Sequence, residues 1–314
     1  MHPIRWSSLA PTVLALVSAL VGITTGAAEP RQYVYKHSGG EPRTIDVFFP
    51  PDHDPARDRV PGIVFFHGGA WTGGTPGQFH AACAHFAGRG LVAATVQYRM
   101  LGKGETPREG ETRKGVCVTD AKSSLRWFKA HAAELGVDPT RVVAGGGSAG
   151  GHLAVLATTT PDLDDPSDPP GVDTKVVAYV LFNPAFRAID ADDPPVDALR
   201  HVTRDFAPAI VFFGTEDRTW LPGWIALHAR LETLGNTTIE QWFAPGAAHG
   251  FFNRPPWQDV TLAAADRFLV ARGLLSGTCP LPTPETGETL VRTRDTGPAR
   301  SVTSPAAAVT SPGD

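Results

Sequence analysis

The pentapeptide Gly146-Gly147-Ser148-Ala149-Gly150 constrains this chain more than any other feature. It follows a short apolar strand signal, Val142-Val143-Ala144, and runs straight into a helix signal that begins at Ser148. A strand that becomes a helix within so few residues brings its neighbours so close that only small side chains fit around the turn. The turn also lifts the serine hydroxyl clear of the sheet and sets it at the positive end of the helix dipole. A glycine-rich phosphate cradle is the other use of such a segment. A dinucleotide cradle belongs after the first strand of a βαβ unit, with an acidic residue about 20 positions further on. Here the turn lies in mid-chain and carries a serine between glycines, so these residues point to a nucleophile.

Around that turn, strand-like and helix-like stretches alternate from residue 31 to residue 275. This is the pattern of an α/β domain with a mostly parallel sheet and helices on both faces. Strands are predicted at 32–35, 45–49, 62–66, 91–98, 142–144, 176–182, 210–213 and 239–243, the first two as an antiparallel start, which makes an eight-stranded sheet. Gly62-Ile63-Val64-Phe65-Phe66 is a continuous apolar run, as in a strand buried on both faces. Helices are predicted over 79–88, from Thr119-Asp120-Ala121 to about Leu135 before Gly136, after Ser148, and over 260–274. Residues 185–207 are too few for a cap domain, so the expected site has little or no lid and opens to solvent.

Three further segments supply the chemistry that a serine nucleophile needs. His67-Gly68-Gly69-Ala70-Trp71 closes the buried strand at 62–66. Acyl transfer passes through a tetrahedral oxyanion that needs N–H donors fixed in place beforehand. Gly69, Ala70 and Ala149, the residue after the serine, are the expected donors. His67 precedes the loop and is expected to brace it, without transferring a proton. The acid is expected after a later strand, in Gly214-Thr215-Glu216-Asp217, where Asp217 is the candidate and Glu216 the runner-up. His249, in Gly246-Ala247-Ala248-His249-Gly250-Phe251, is the base, since an imidazole must reach the serine with one nitrogen while the carboxylate holds the other. His80, His85, His131, His152, His201 and His228 lack such placement. His80, Cys83 and His85 give no closed set of four ligands, so no metal is expected, and this chemistry needs no cofactor. Trp71 and Trp220 are candidates to stack on a sugar or an aromatic acyl group.

The formal net charge of -4, with no run of Lys or Arg, argues against nucleic acid as a partner and against a membrane-surface patch. The expected partner is a small or polysaccharide-linked ester. At the N-terminus, Arg5 precedes an apolar run through Val13, Leu16, Leu20 and Val21 and then small residues to Ala27 and Ala28. That is the pattern of a cleaved secretory signal over residues 1–28, placing the mature chain outside the cytoplasm or in a periplasm, without a stable membrane anchor. Cys83, Cys117 and Cys279 remain, and Cys83–Cys117 is the preferred pair if a disulfide forms. The catalytic domain is expected over 29–276. Residues 277–314, rich in Pro, Thr, Ser and Ala, form the expected disordered tail.

With these segments in place, the chain resembles the α/β-hydrolase superfamily, and within it the branch related to hormone-sensitive lipase and to bacterial HGGxW esterases. Gln97-Tyr98-Arg99, Asp120-Ala121-Lys122 with Arg126-Trp127, and Gly147-Ser148-Ala149-Gly150-Gly151-His152 add to the match, which covers roughly residues 32–275. The resemblance implies an α/β-hydrolase fold with nucleophile, acid and base in the order Ser148, Asp217, His249. It also implies Gly69 and Ala70 as oxyanion donors. The chain departs from many relatives at Gly147, where they carry Asp, and in lacking an N-terminal cap. The resemblance therefore implies a secreted serine esterase for short-chain, acetyl or feruloyl esters, such as those on plant polysaccharides. The alternatives are a lipase, an arylformamidase or a peptidase on the same residues, and, from another class, a catalytically dead binding module.

Overall fold

The computed structural model describes residues 29–38, 40–102, 106–282 and 285–292; the signal expected at 1–28 and the tail beyond 292 lie outside them. The chain opens on an antiparallel pair, β1 (Arg31–Ser38) and β2 (Glu41–Phe48), followed by β3 (Val60–Phe66), α1 (His80–Gly88) and β4 (Val92–Val96). Next come α2 (Arg113–Ala130), α3 (Ala132–Leu135), β5 (Val137–Gly147), α4 (Ala149–Thr159) and β6 (Ala178–Phe182). The rest is α5 (Ala198–His201), β7 (Ala209–Gly214), α6 (Leu221–Thr233), β8 (Ile239–Ala244), α7 (Trp257–Ala271) and β9 (Val291–Arg292). The sheet order is β1-β2-β4-β3-β5-β6-β7-β8-β9, with every neighbouring pair from β4 to β8 parallel. This is the α/β-hydrolase fold, with the eight expected strands and one more.

Each inner strand sends alternate side chains into opposite layers, which explains its unbroken apolar run. Val64 and Phe66 of β3 join the cluster built on α2, α4 and α6, while Ile63 and Phe65 join the one built on α1 and α7. Val211 and Phe213 of β7 divide from Ile210 and Phe212 in the same way. Fully burying a side chain of this size contributes about 1.5–3 kcal/mol, so two such layers hold the sheet rigid between them. The carboxyl ends of β3, β5, β6, β7 and β8 therefore form a fixed edge, where ligands of parallel sheets bind. Between β6 and β7, the described chain has only short 3₁₀ turns and the four-residue α5, so among the described residues that connection builds no cap over the edge.

Three expectations need correcting. Helix α2 begins at Arg113, well before Thr119, because the Thr112 hydroxyl accepts from the Gly115 N–H at 3.0 Å and caps the helix there. All three cysteines are free. Cys83 on α1 and Cys117 on α2 are buried in the two clusters on opposite faces of the sheet, so the preferred disulfide cannot form. The segment assigned to a disordered tail from Gly277 is partly ordered: Leu281 and Leu290 pack on the α7 face, and β9 pairs antiparallel with the edge of β8. Its scattered aliphatic residues, not its average composition, decide that. Among the described residues, no helix is long and apolar enough to cross a membrane.

Candidate active site

Ser148 stands between β5 and α4 with φ 52 and ψ -119, a conformation that a side-chain-bearing residue rarely adopts. Strain of this kind costs on the order of 1–3 kcal/mol and persists only where the surroundings impose it. Here the Ser148 N–H donates to the Phe182 carbonyl at 2.9 Å. Its own carbonyl accepts from the N–H groups of Gly151, His152 and Ala185. The glycines answer a packing demand. A Cβ on Gly150 would lie 1.9 Å from the Phe66 oxygen, and one on Gly146 would lie 2.5 Å from the Gly150 carbonyl carbon.

The two distant partners converge on that hydroxyl. Ser148 Oγ lies 2.8 Å from His249 Nε2, and His249 Nδ1 lies 2.6 Å from Asp217 Oδ2. A carboxylate accepts, so Nδ1–H is the donor there, and Nε2 is left to accept the serine proton. The Asp217 carboxylate is buried, and its Oδ1 also takes the Trp220 N–H at 3.2 Å, which fixes it beneath the imidazole. Glu216 faces solvent and pairs with Arg218 at 2.9 Å, so of the two acidic candidates only Asp217 joins the constellation. The arrangement can draw a proton from Ser148 and stabilise the imidazolium that results.

A cleft of about 310 Å³ opens beside Ser148, lined in part by Gly69, Ala70, Trp220, Phe252 and His249. Gly69 (φ 128) and Ala70 (φ 54) turn the loop after β3 outside any strand ladder. Among the described residues, no backbone acceptor takes their N–H groups. Ala149 is the first residue of α4, where helix geometry leaves the N–H without an intrahelical acceptor. The three expected donors thus flank the serine with their N–H groups uncommitted. His67 braces the loop as expected: its Nδ1–H donates to the Gly68 carbonyl at 2.8 Å, its ring stacks on Tyr98 at 4.3 Å, and burial lowers its pKa.

The tryptophans divide. Trp220 lines the cleft, with its ring centroid 5.9 Å from that of His249. Trp71 does not line it; it is buried beneath the loop, with Lys114 Nζ 4.1 Å from its ring centroid and His152 edge-on at 5.3 Å. The substrate role expected for Trp71 is therefore replaced by a packing one. Three carboxamides that the motifs did not single out also line the cleft: Gln78, Asn183 and Asn253. Asn183 is buried, sits at φ 37 directly after β6, and accepts the Gly250 N–H at 3.1 Å. Its place at the carboxyl end of a parallel strand, before a proline, was the available signal.

Elsewhere, a larger crevice of about 480 Å³ beside β8 is bordered by His228, Glu232, Asn236 and Arg292, with no serine or cysteine among its described lining residues. The trio His80, Cys83 and His85 does not assemble, since His80 pairs with Asp46 and His85 with Asp266. His85, Asp266 and Cys279 do approach one another. There, however, Arg89 already donates to both oxygens of Asp266, at 2.7 and 3.3 Å, so the group is an ion-pair network joining α1 to α7.

Known proteins share this architecture. The BD-FAE family model matches residues 45–189. Carboxylesterase NlhH of Mycobacterium tuberculosis is 30% identical over 240 residues, covering 67% of this chain and 71% of that protein. LipM of the same organism is 36% identical over 159 residues, which span 47% of this chain but only 34% of LipM. Among solved structures, the apo form of Thermogutta terrifontis esterase 2 superposes with a TM-score of 0.73 at 35% identity, covering 81% of this chain and 98% of that one. A structure of the same enzyme with propionate bound gives a TM-score of 0.71 at 36% identity, covering 80% of this chain and 97% of that one.

Proposed function

The chain belongs to the hormone-sensitive-lipase-like branch of the α/β-hydrolases and is a carboxylic ester hydrolase, and we propose that it cleaves short-chain or carbohydrate-linked esters outside the cytoplasm through an acyl-enzyme on Ser148. Ser148 Oγ attacks the ester carbonyl carbon while His249 Nε2 takes its proton, and the oxyanion rests on the N–H groups of Gly69, Ala70 and Ala149. The intermediate collapses with cleavage of the bond to the alcohol oxygen, which receives that proton from His249. Water then loses a proton to the same nitrogen, attacks the acyl carbonyl and releases the acid, and Ser148 regains its proton. Asp217 holds the imidazole in the tautomer that each step needs.

The observation that carries this reading is the unbroken line from Ser148 Oγ through both His249 nitrogens to Asp217, at 2.8 and 2.6 Å. The substrate class is supported by the small open cleft with its carboxamide lining, and by the propionate bound to the T. terrifontis relative. Export is supported by the pattern of residues 1–28 alone.

Ser148→Ala is expected to abolish hydrolysis of p-nitrophenyl acetate while circular dichroism stays unchanged; turnover at the wild-type rate would refute the nucleophile. Rates should fall as the acyl chain of p-nitrophenyl esters lengthens from two carbons to twelve. A rise with length would favour a lipase. Release of acetate or ferulate from esterified xylan would place the substrate on a polysaccharide. A fluorophosphonate should label Ser148, and an unreactive chain would mark a binding module.

A further inference from the structure

Gly250 directly follows His249, and its peptide groups are held from both sides. Its N–H donates to Asn183 Oδ1 at 3.1 Å, and its carbonyl accepts from Asn253 Nδ2 at 2.9 Å. The chain of contacts continues across the mouth of the cleft. Asn253 Oδ1 accepts from Gln78 Nε2 at 3.0 Å, and Gln78 Oε1 accepts from the Gly68 N–H at 2.6 Å. Gly68 is the residue before Gly69 and Ala70. Two carboxamides 175 positions apart in sequence therefore join the loop bearing His249 to the loop bearing the oxyanion donors.

The direction of every bond in this relay is determined. The Gly68 N–H can only donate, so Gln78 must turn its oxygen toward it and its NH₂ toward Asn253. Asn253 must then offer its oxygen to Gln78 and its NH₂ to the Gly250 carbonyl. Flipping either amide would set donor against donor. Each loop has only local bonds of its own, from the N–H groups of Thr72 and Gly73 to the Gly69 carbonyl and in the 3₁₀ turn Phe251–Asn253, and these do not join one loop to the other; Gly69, Ala70 and Gly250 all sit at positive φ. The chemistry nevertheless requires that the oxyanion donors and the base keep one separation, since both act on the same tetrahedral centre. A misplacement of about 1 Å in such an arrangement can cost about a hundredfold in rate.

We propose that Gln78 and Asn253 are positioning residues whose paired amides set the oxyanion loop and the His249 loop at their working separation; this rests on the reading of Ser148, His249, Gly69 and Ala70 as the reacting groups. Asn253 is exposed and Gln78 half-buried, so in the free enzyme water competes for their bond. Substrate seated in the cleft shields it, and the link is firmest when the reaction needs it. Because the bond is exposed, its loss is expected to change rate far more than stability.

The test is steady-state kinetics of the full chain with p-nitrophenyl acetate for Gln78→Met, Asn253→Ala and the double variant, beside fluorophosphonate labelling of the wild type. Each single variant should lower kcat about ten- to a hundredfold, with KM changed by less than about threefold and Tm unmoved. The double variant should be no slower than the slower single one, because one broken link already releases the loops. A raised KM at constant kcat would mean that the amides bind substrate, and would overturn the proposal. Losses that multiply in the double variant would mean that the two act separately, and would overturn it too. If wild-type Ser148 resists the label, the underlying reading of the site fails, whatever the variants do.

Discussion

At the scale of single residues, the site is held by groups that take no part in the reaction. His152, at the start of α4, is fully buried, and its Nε2–H donates to the Val196 carbonyl at 3.0 Å. Burial first, and then the positive charge of Lys114, lowers its pKa to about 3 from an ordinary 6.5. Between those values the unfolded chain binds a proton that the folded one refuses. Stability from this residue is therefore complete above about pH 6.5 and is lost as pH falls, by about 1.4 kcal/mol per unit at most. His152→Asn should flatten the dependence of urea stability on pH between 7 and 5 by up to that slope, while His67 and His85, also held low by burial, stay in both proteins. Equal slopes would refute the assignment. The residues proposed to react were legible in the sequence, because Ser148, Asp217 and His249 each stand in a glycine-containing turn that follows a strand. Gln78, Asn183 and Asn253 were not, since an amide carries no local signature and its use here depends on loops that meet only in the folded chain. Trp71 was misjudged because its place beside the loop says nothing of which way the ring packs.

At the scale of elements, periodicity located helices and strands, whereas their ends depend on single hydrogen bonds. The start of α2 is the clearest instance. Thr119 precedes an amphipathic stretch and resembles a cap, but in the fold its hydroxyl donates to the Gly115 carbonyl, in mid-helix, at 3.1 Å. Thr112 makes the cap, in a segment whose Gly115 and flanking charges hide the helix period. Losing an N-cap costs about 1 kcal/mol, so Thr112→Ala should lower Tm by about 2 °C in a chain of this size, and Thr119→Ala by much less. Thermal melts followed by circular dichroism decide this, and equal shifts would return the start of the helix to Thr119. The inner strands were legible for the opposite reason. Burial on both faces leaves Ile63 to Phe66 and Ile210 to Phe213 no polar position, and such runs have few other uses. The disulfide expectation failed at this scale as well, because sequence separation does not reveal that α1 and α2 lie on opposite sides of the sheet.

At the scale of the whole molecule, the sheet has to end somewhere, and an exposed strand edge invites another chain to pair with it. On the β8 side the end is made by residues that composition assigned to a tail. Val291 and Arg292 pair with Phe243 and Trp242, the Arg292 guanidinium lies 5.5 Å from the Trp242 ring centroid, and it pairs with Glu240 at 3.3 Å. Leu281 and Leu290 anchor the same segment on the face of α7. This segment thus covers both an edge and an apolar surface, at the far side of the sheet from β1. Removing it should leave the distances around Ser148 unchanged, because β5, β6 and β7 are paired on both sides without it. The consequence is in association. A chain ending at residue 276 should keep the kcat of one ending at residue 292, yet form dimers or larger species as its concentration rises, through the bared edge of β8. Light scattering across a concentration series compares the two. If both remain monomeric with the same Tm, the segment protects nothing; if kcat falls with the truncation, the edge and the site are coupled through the sheet.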